Sequence, residues 1–187
     1  GHDDGDLSTW ITTELPNNDL NLMRVEREWR VDVSGGDGPS SVTVSLFDTL
    51  MPAFPPDFLS FILWVDADGD GDFTTGAIPY PVVRVGNQYI ANTVDLPDSS
   101  CITIGCVRPV AQFTATASSG PESLANPQIE VSLNYGVSQE LTLQYRAIDG
   151  SATGGGVDYV LNPDALTFLP GMATASIIPL ITDNDIP

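Results

Sequence analysis

Met23-Arg24-Val25-Glu26-Arg27-Glu28-Trp29-Arg30-Val31-Asp32-Val33 is the stretch that decides the fold class. In an extended chain successive side chains point to opposite faces, so Val25, Trp29, Val31 and Val33 share one side while Arg24, Glu26, Glu28, Arg30 and Asp32 share the other. The alternation predicts one antiparallel strand over residues 23–33, half buried on its apolar face. Outward from it lie further strand-like runs at 41–47, 58–65, 88–96 and 101–104, divided by turn-rich stretches such as Ser34-Gly35-Gly36-Asp37-Gly38-Pro39 and Pro52-Ala53-Phe54-Pro55-Pro56. Val107-Arg108-Pro109-Val110 reads as a linker, because Pro109 fixes its own φ and extends the residue before it. A second series of strands is expected at 110–116, 128–133, 141–147, 165–169 and 173–182. No stretch reads as a long amphipathic helix. The chain is therefore predicted to be all-β, with two immunoglobulin-like antiparallel β-sandwich domains in tandem, residues 1–106 and 107–187, the second lacking its last strand or strands. A length of 187 residues gives each half enough chain to bury a core.

Charge narrows the function. Asp and Glu number 25 and Lys plus Arg number 6, a net charge of −19. Such a polyanion is repelled by phosphate backbones, which excludes nucleic acid as a partner, and no run approaches the roughly 20 apolar residues of a membrane span. The six basic residues are all Arg, so a Lys–Asn crosslink is impossible. Asp outnumbers Glu, which places the acid in turns rather than helices, since Asp competes with helical backbone and favours loops. Clustered turn carboxylates repel one another unless a hard cation joins them, and Ca²⁺ is the cation that all-oxygen sites select. A solvated acidic surface is the alternative for most single Asp residues. The chain reads as a soluble piece of a longer, secreted precursor.

Cys101 and Cys106 are the only cysteines, too few for a tetrahedral zinc site. Secretion favours a disulfide between them, but an extended run through Ile102, Thr103 and Ile104 would hold their Cα atoms about 16 Å apart, beyond bridging distance. The bridge depends on a turn at Gly105.

Asp66-Ala67-Asp68-Gly69-Asp70-Gly71-Asp72-Phe73 follows directly on the apolar run Phe61-Ile62-Leu63-Trp64-Val65. Alternate carboxylates with intervening glycines can wrap one Ca²⁺ with Asp66, Asp68 and Asp70 as side-chain ligands and Asp72 through side chain or backbone. It is not an EF-hand: the twelfth position is Ala77 instead of a bidentate Glu, and a strand precedes it. An unliganded acidic turn is the alternative. His2, Asp3, Asp4 and Asp6 are a second, weaker acidic group, readable either as ion ligands or as a mobile terminus.

From Phe113 onward the chain carries Pro121-Glu122-Ser123, Ile129-Glu130-Val131-Ser132-Leu133, Leu143-Gln144-Tyr145-Arg146, the run 149–159 from Asp149-Gly150-Ser151-Ala152-Thr153 to Asp158-Tyr159, Leu166-Thr167-Phe168-Leu169-Pro170-Gly171, and Ile181-Thr182-Asp183-Asn184-Asp185. In this order these resemble a Calx-beta domain, an immunoglobulin-like sandwich, over about residues 108–187, C-terminally incomplete. The resemblance implies Ca²⁺ ligands at Glu122, Asp149, Asp183 and Asp185, gathered at one end of the sandwich. Asn184 interrupts the acidic run. The first half more faintly resembles β-sandwich modules of large secreted bacterial surface or adhesin proteins.

Catalysis is not expected. The only His is His2, and no Gly-x-Ser-x-Gly elbow is present. The composition and both resemblances predict a non-catalytic, calcium-stabilised segment of an extracellular or cell-surface bacterial adhesin-like protein. Its partners are expected to be neighbouring domains of the same polypeptide and a cell-surface glycan or protein, with the ions stiffening the joints between domains. Two other readings stand beside it. One is an accessory carbohydrate-binding module using Trp10, Trp29, Trp64 or Tyr80 as platforms, with Trp29 and Trp64 at core-facing positions. The other is a docking or polymerisation element that accepts an added strand.

Overall fold

The computed structural model describes residues 9–16, 19–34, 41–121, 123 and 127–183. The described residues contain no α-helix, and every ladder is antiparallel. The all-β expectation therefore holds.

In the first half, β1 (Trp10–Ile11), β2 (Leu22–Val25), β3 (Trp29–Arg30), β4 (Val42–Phe47), β5 (Ser60–Asp66), β6 (Ile78–Val85), β7 (Gln88–Val94) and β8 (Cys101–Val107) join in one eight-stranded sheet. Its order is β1-β2-β8-β5-β6-β7-β4, with β3 also on β8. The sheet wraps around its own core: Trp10 from one end of the order and Leu46 from the other pack against the same cluster of Val25, Phe61, Leu63, Val65, Tyr89, Ile104 and Cys106. β5 sits at the centre and is buried along its whole length. Its odd-numbered residues face that core, and Ile62 and Trp64 face a second cluster with Leu15, Leu22, Phe73, Cys101 and Val107. A strand covered on both faces reads as a continuous apolar run, as 61–65 does; each such side chain contributes about 1.5–3 kcal/mol.

The stretch 23–33 departs from expectation. It forms β2 and β3 with a break at residues 26–28. Arg24, expected on the solvent face, is 1 % exposed. The face is polar in its own residues, but residues from elsewhere cover it. The Arg24 guanidinium donates to the carbonyls of Thr13 (3.3 Å) and Val25 (3.2 Å), pairs with Glu14 and with Glu28 (2.9 Å), and lies over the Phe73 ring at 5.2 Å.

β6 has no counterpart among the strand-like runs of the sequence, and it contains Pro79 and Pro81, residues that central strands rarely hold. Its ladder to β5 runs over 78–82, whereas its ladder to β7 covers only 82–85. Val82 turns its carbonyl toward β5, so residues 79 and 81 turn toward β7 where no partner strand is present. The two prolines lie where a missing N–H costs nothing.

β8 runs straight through Gly105, which pairs with both Ile62 and Arg24. No turn forms there. Cys101 and Cys106 are free, buried and on opposite faces of the sheet. The disulfide is thereby excluded.

The second half holds β9 (Ala111–Phe113), β10 (Ile129–Leu133), β11 (Leu141–Tyr145), β12 (Tyr159–Val160), β13 (Asp164–Phe168), β14 (Thr174–Ile177) and β15 (Leu180–Ile181). A three-stranded sheet, β14-β10-β9, packs across Val131, Leu133, Val137, Phe168 and Ile177 from the β11–β13 ladder; β12 pairs with β15. The expected run 173–182 breaks after Ile177, close to Pro179, which cannot donate to a ladder.

Candidate metal centre

The centre begins where β5 ends. Asp66 is the last residue of that strand and only 2 % exposed, so the ladder to Cys101 fixes its backbone while its carboxylate is taken out of water. The chain then turns through a series of Asx contacts, in which each carboxylate accepts an amide a few residues ahead. Asp66 Oδ2 accepts from Gly71 N (2.9 Å), Asp68 Oδ1 from Asp70 N (3.4 Å), Asp70 Oδ1 from Asp72 N (2.8 Å) and Asp72 Oδ1 from Thr74 N (2.8 Å).

Two residues fix this loop to the body. Phe73 is fully buried in the second cluster of the first sheet. Gly69 adopts φ +70° with its α-carbon against the β7–β8 turn, where an added Cβ would lie 2.0 Å from Ser99 O. Only glycine satisfies both the conformation and the approach.

The loop gathers Asp66, Asp68 and Asp70, each with a carboxylate oxygen within 4.8 Å of the others. Burial pushes the Asp66 carboxyl above the ordinary Asp value, and the carboxyl and charge of Asp68 and the charge of Asp70 push it further, against the Gly71 hydrogen bond. Three negative groups at this spacing repel, and a divalent ion between them reverses the sign of the interaction. The donor set is all oxygen, which fits Ca²⁺ and excludes a soft-metal site. Asp72 is outside this trio, and hydrogen bonds from the Thr74 hydroxyl and amide hold its carboxyl below the usual range.

A polar cleft of about 400 Å³ opens beside the loop, with Glu14, Arg24, Glu28, Arg30, Asp70 and Cys101 in its walls. Glu28 Oε2 lies 3.0 Å from where a Cβ on Gly71 would be, so this carboxylate borders the loop directly. Burial raises the Glu28 pKa despite the Arg24 charge beside it. The sequence signal that would have placed Glu28 here is absent: it stood as one of five polar residues on the outer face of 23–33, and long-range packing brings it to the loop.

The second half is different. Glu122 and Asp185 lie outside the described residues, as do His2, Asp3, Asp4 and Asp6. Asp149 and Asp183 are exposed, and neither joins a group of three ligands among the described residues. Asp149 Oδ1 accepts from Tyr159 Oη (2.7 Å) and Gly154 N (3.0 Å), and Asp158 Oδ2 from Thr153 N (2.6 Å). The Tyr159 hydroxyl and the Gly154 amide hold the Asp149 carboxyl low. Asp183 follows Thr182, whose amide donates to Asp158 O (2.9 Å), so Asp149, Asp158 and Asp183 belong to one end of the module.

Of the aromatic platform candidates, Trp64 is buried, Trp29 is half-buried at the core edge, Trp10 packs on Phe54 and donates to Ala53 O (3.1 Å), and the Tyr80 hydroxyl accepts from Asp95 N (3.2 Å).

Among known protein families, the Calx-beta domain matches residues 107–186. The second half is thus similar to Calx-beta domains, beginning at the last residue of β8. No curated protein matches the chain.

Proposed function

We propose that this chain is a non-catalytic, calcium-stabilised segment of a secreted or cell-surface adhesin-like protein, serving as a stiff scaffold or adhesion module. The observation that carries the reading is the trio Asp66, Asp68 and Asp70, held within mutual ligand reach on a loop anchored by Phe73 and Gly69. The similarity of residues 107–186 to Calx-beta domains supports it. An extracellular setting supplies calcium at concentrations that even weak all-oxygen sites can use. The aromatic contacts just described leave no stacked pair of exposed rings for a sugar among the described residues, which disfavours the carbohydrate-binding reading.

Isothermal titration of calcium into the chelator-treated chain tests the proposal. One binding event is expected at the first-half loop, lost in Asp68→Asn/Asp70→Asn. Heat of binding that survives this double substitution unchanged would overturn the assignment.

Docking by strand addition keeps one observation in its favour, an apolar cleft of about 760 Å³ lined by Phe113, Ile129, Tyr145, Ile148, Leu161 and Ile177. Phe113 is 61 % and Ile148 79 % exposed. A monomer at high concentration that recruits no strand-forming peptide would remove this reading.

A further inference from the structure

The joint between the two halves holds one exposed ion pair, Arg108 Nη2 to Asp57 Oδ2 at 4.0 Å, and is otherwise built from hydrogen bonds and packing. Residues 134–138, the turn between β10 and β11, reach back to the first sheet, and Tyr135 packs against the cluster around Ile62 and Trp64. Ser138 is fully buried and replaces part of the β5–β6 ladder. Phe61 and Val82 are register partners, yet the Ser138 hydroxyl stands between them: it accepts from Phe61 N (2.8 Å) and donates to Val82 O. Its own amide donates to Leu59 O (2.9 Å), and its carbonyl accepts from Arg84 N (3.3 Å).

On its other side the same turn is tied into the second module, by Val137 N to Met172 O (3.0 Å) and by Gly171 N to Val137 O. The linker adds Arg108 N to Asn21 O (2.9 Å) and the Arg108 guanidinium over the Phe58 ring at 5.2 Å. Two short linker contacts alone would leave a hinge. Four hydrogen bonds from one buried residue, to Leu59 just before β5, Phe61 in β5 and Val82 and Arg84 in β6, fix orientation.

Both acidic loops are elsewhere. Phe61 lies near the start of β5 and Asp66 at its end, five strand steps or about 17 Å away. In the second module β10 leads into the joint through Leu133, while Tyr145, Asp158 and Ile181 line the cleft at the Ile129 end. Asp149 and Asp183 belong to that far end. The expectation that ions stiffen the joint between the modules therefore gives way to a different device.

The geometry points to Ser138 as a splice that holds the two modules in one fixed orientation independently of any ion. The turn completes the β5–β6 ladder, so the first module reaches its full hydrogen bonding only with the second in place. Stiffness at the joint and calcium at the loop are separate properties of the chain.

Amide hydrogen exchange on the full chain, with calcium and with chelator, tests this. Chelation is expected to speed exchange at Gly71 and Asp72 and to leave Phe61, Arg84 and Ser138 within about twofold of their original rates. Ser138→Ala is expected to raise exchange at Phe61 about tenfold, because the Phe61 amide and the Val82 carbonyl lose their shared partner, and to change Arg84 less, since its amide bonds to the backbone carbonyl of residue 138. Joint amides that loosen on chelation as much as the loop does would overturn the inference, as would a Phe61 amide that stays equally protected in Ser138→Ala. Should that variant not fold, the two wild-type measurements decide the question alone.

Discussion

The 66–72 loop and the 149–159 loop are made of the same materials, Asp and Gly with a following aromatic residue, and the fold uses them oppositely. In the first, carboxylates are brought together and Asp66 is buried, so negative charge accumulates faster than local hydrogen bonds neutralise it. In the second, Asp149 binds Tyr159 and Gly154, Asp158 binds Thr153, and the carboxylates serve to close their own turn. The difference teaches that Asp content alone does not bring carboxylates together. In the first loop they are gathered by anchors that are not carboxylates, Phe73 and Gly69.

The comparison breaks most visibly if the anchors are removed. Phe73→Ala empties a fully buried position and is expected to cost about 3–5 kcal/mol in denaturant unfolding, with loss of the calcium response because the loop is no longer held. A variant that loses stability and keeps its calcium affinity would show that the trio assembles without its anchor. Gly69→Ala meets both a left-handed φ and the Ser99 carbonyl, and a loss of about 2–3 kcal/mol is expected in the same measurement.

Asp70→Asn and Asp149→Ala sharpen the contrast. The first is expected to weaken calcium binding at least tenfold by titration calorimetry, with ion-free stability unchanged or slightly raised because repulsion falls. The second removes the acceptor for Tyr159 and is expected to lower stability slightly in denaturant unfolding and leave calcium binding alone. A calcium defect in Asp149→Ala would erase the distinction between the loops.

The smallest effect concerns pH. In the ion-free chain the Asp66 carboxyl is raised in the folded state, so the stability linked to it is complete below its unfolded pKa and is lost as pH rises through the folded one. Asp149 is held low and has the opposite sign: its contribution is present above the unfolded pKa and is lost as pH falls through the folded value. Carboxyl-carbon NMR titration in chelator should place the Asp66 midpoint above the ordinary Asp value and that of Asp149 below it, and calcium should lower the Asp66 midpoint alone.

Much of this was legible in the sequence. Alternation exposed the strands, and the Asp66-to-Asp72 spacing exposed the loop, because both signals are local. The rest depends on distant residues. β6 is absent from the expected strands, and whether a strand tolerates proline, as it does at Pro79 and Pro81, depends on where its neighbour's ladder stops. The alternation at 23–33 put Arg24 and Glu28 in water, whereas the 9–16 segment and Phe73 cover them. Ser138 gave no signal at all: one serine in a turn becomes the joint through contacts 77 residues away in sequence to Phe61 and 56 to Val82.

The central claim is that calcium binding at the 66–72 loop stabilises the chain, and the melting temperature with excess calcium and with chelator tests it most directly. Linkage predicts about 2.7 kcal/mol of added stability at a hundredfold excess over the dissociation constant, hence a rise of several degrees that Asp68→Asn/Asp70→Asn abolishes. Equal melting temperatures with calcium and with chelator would contradict it.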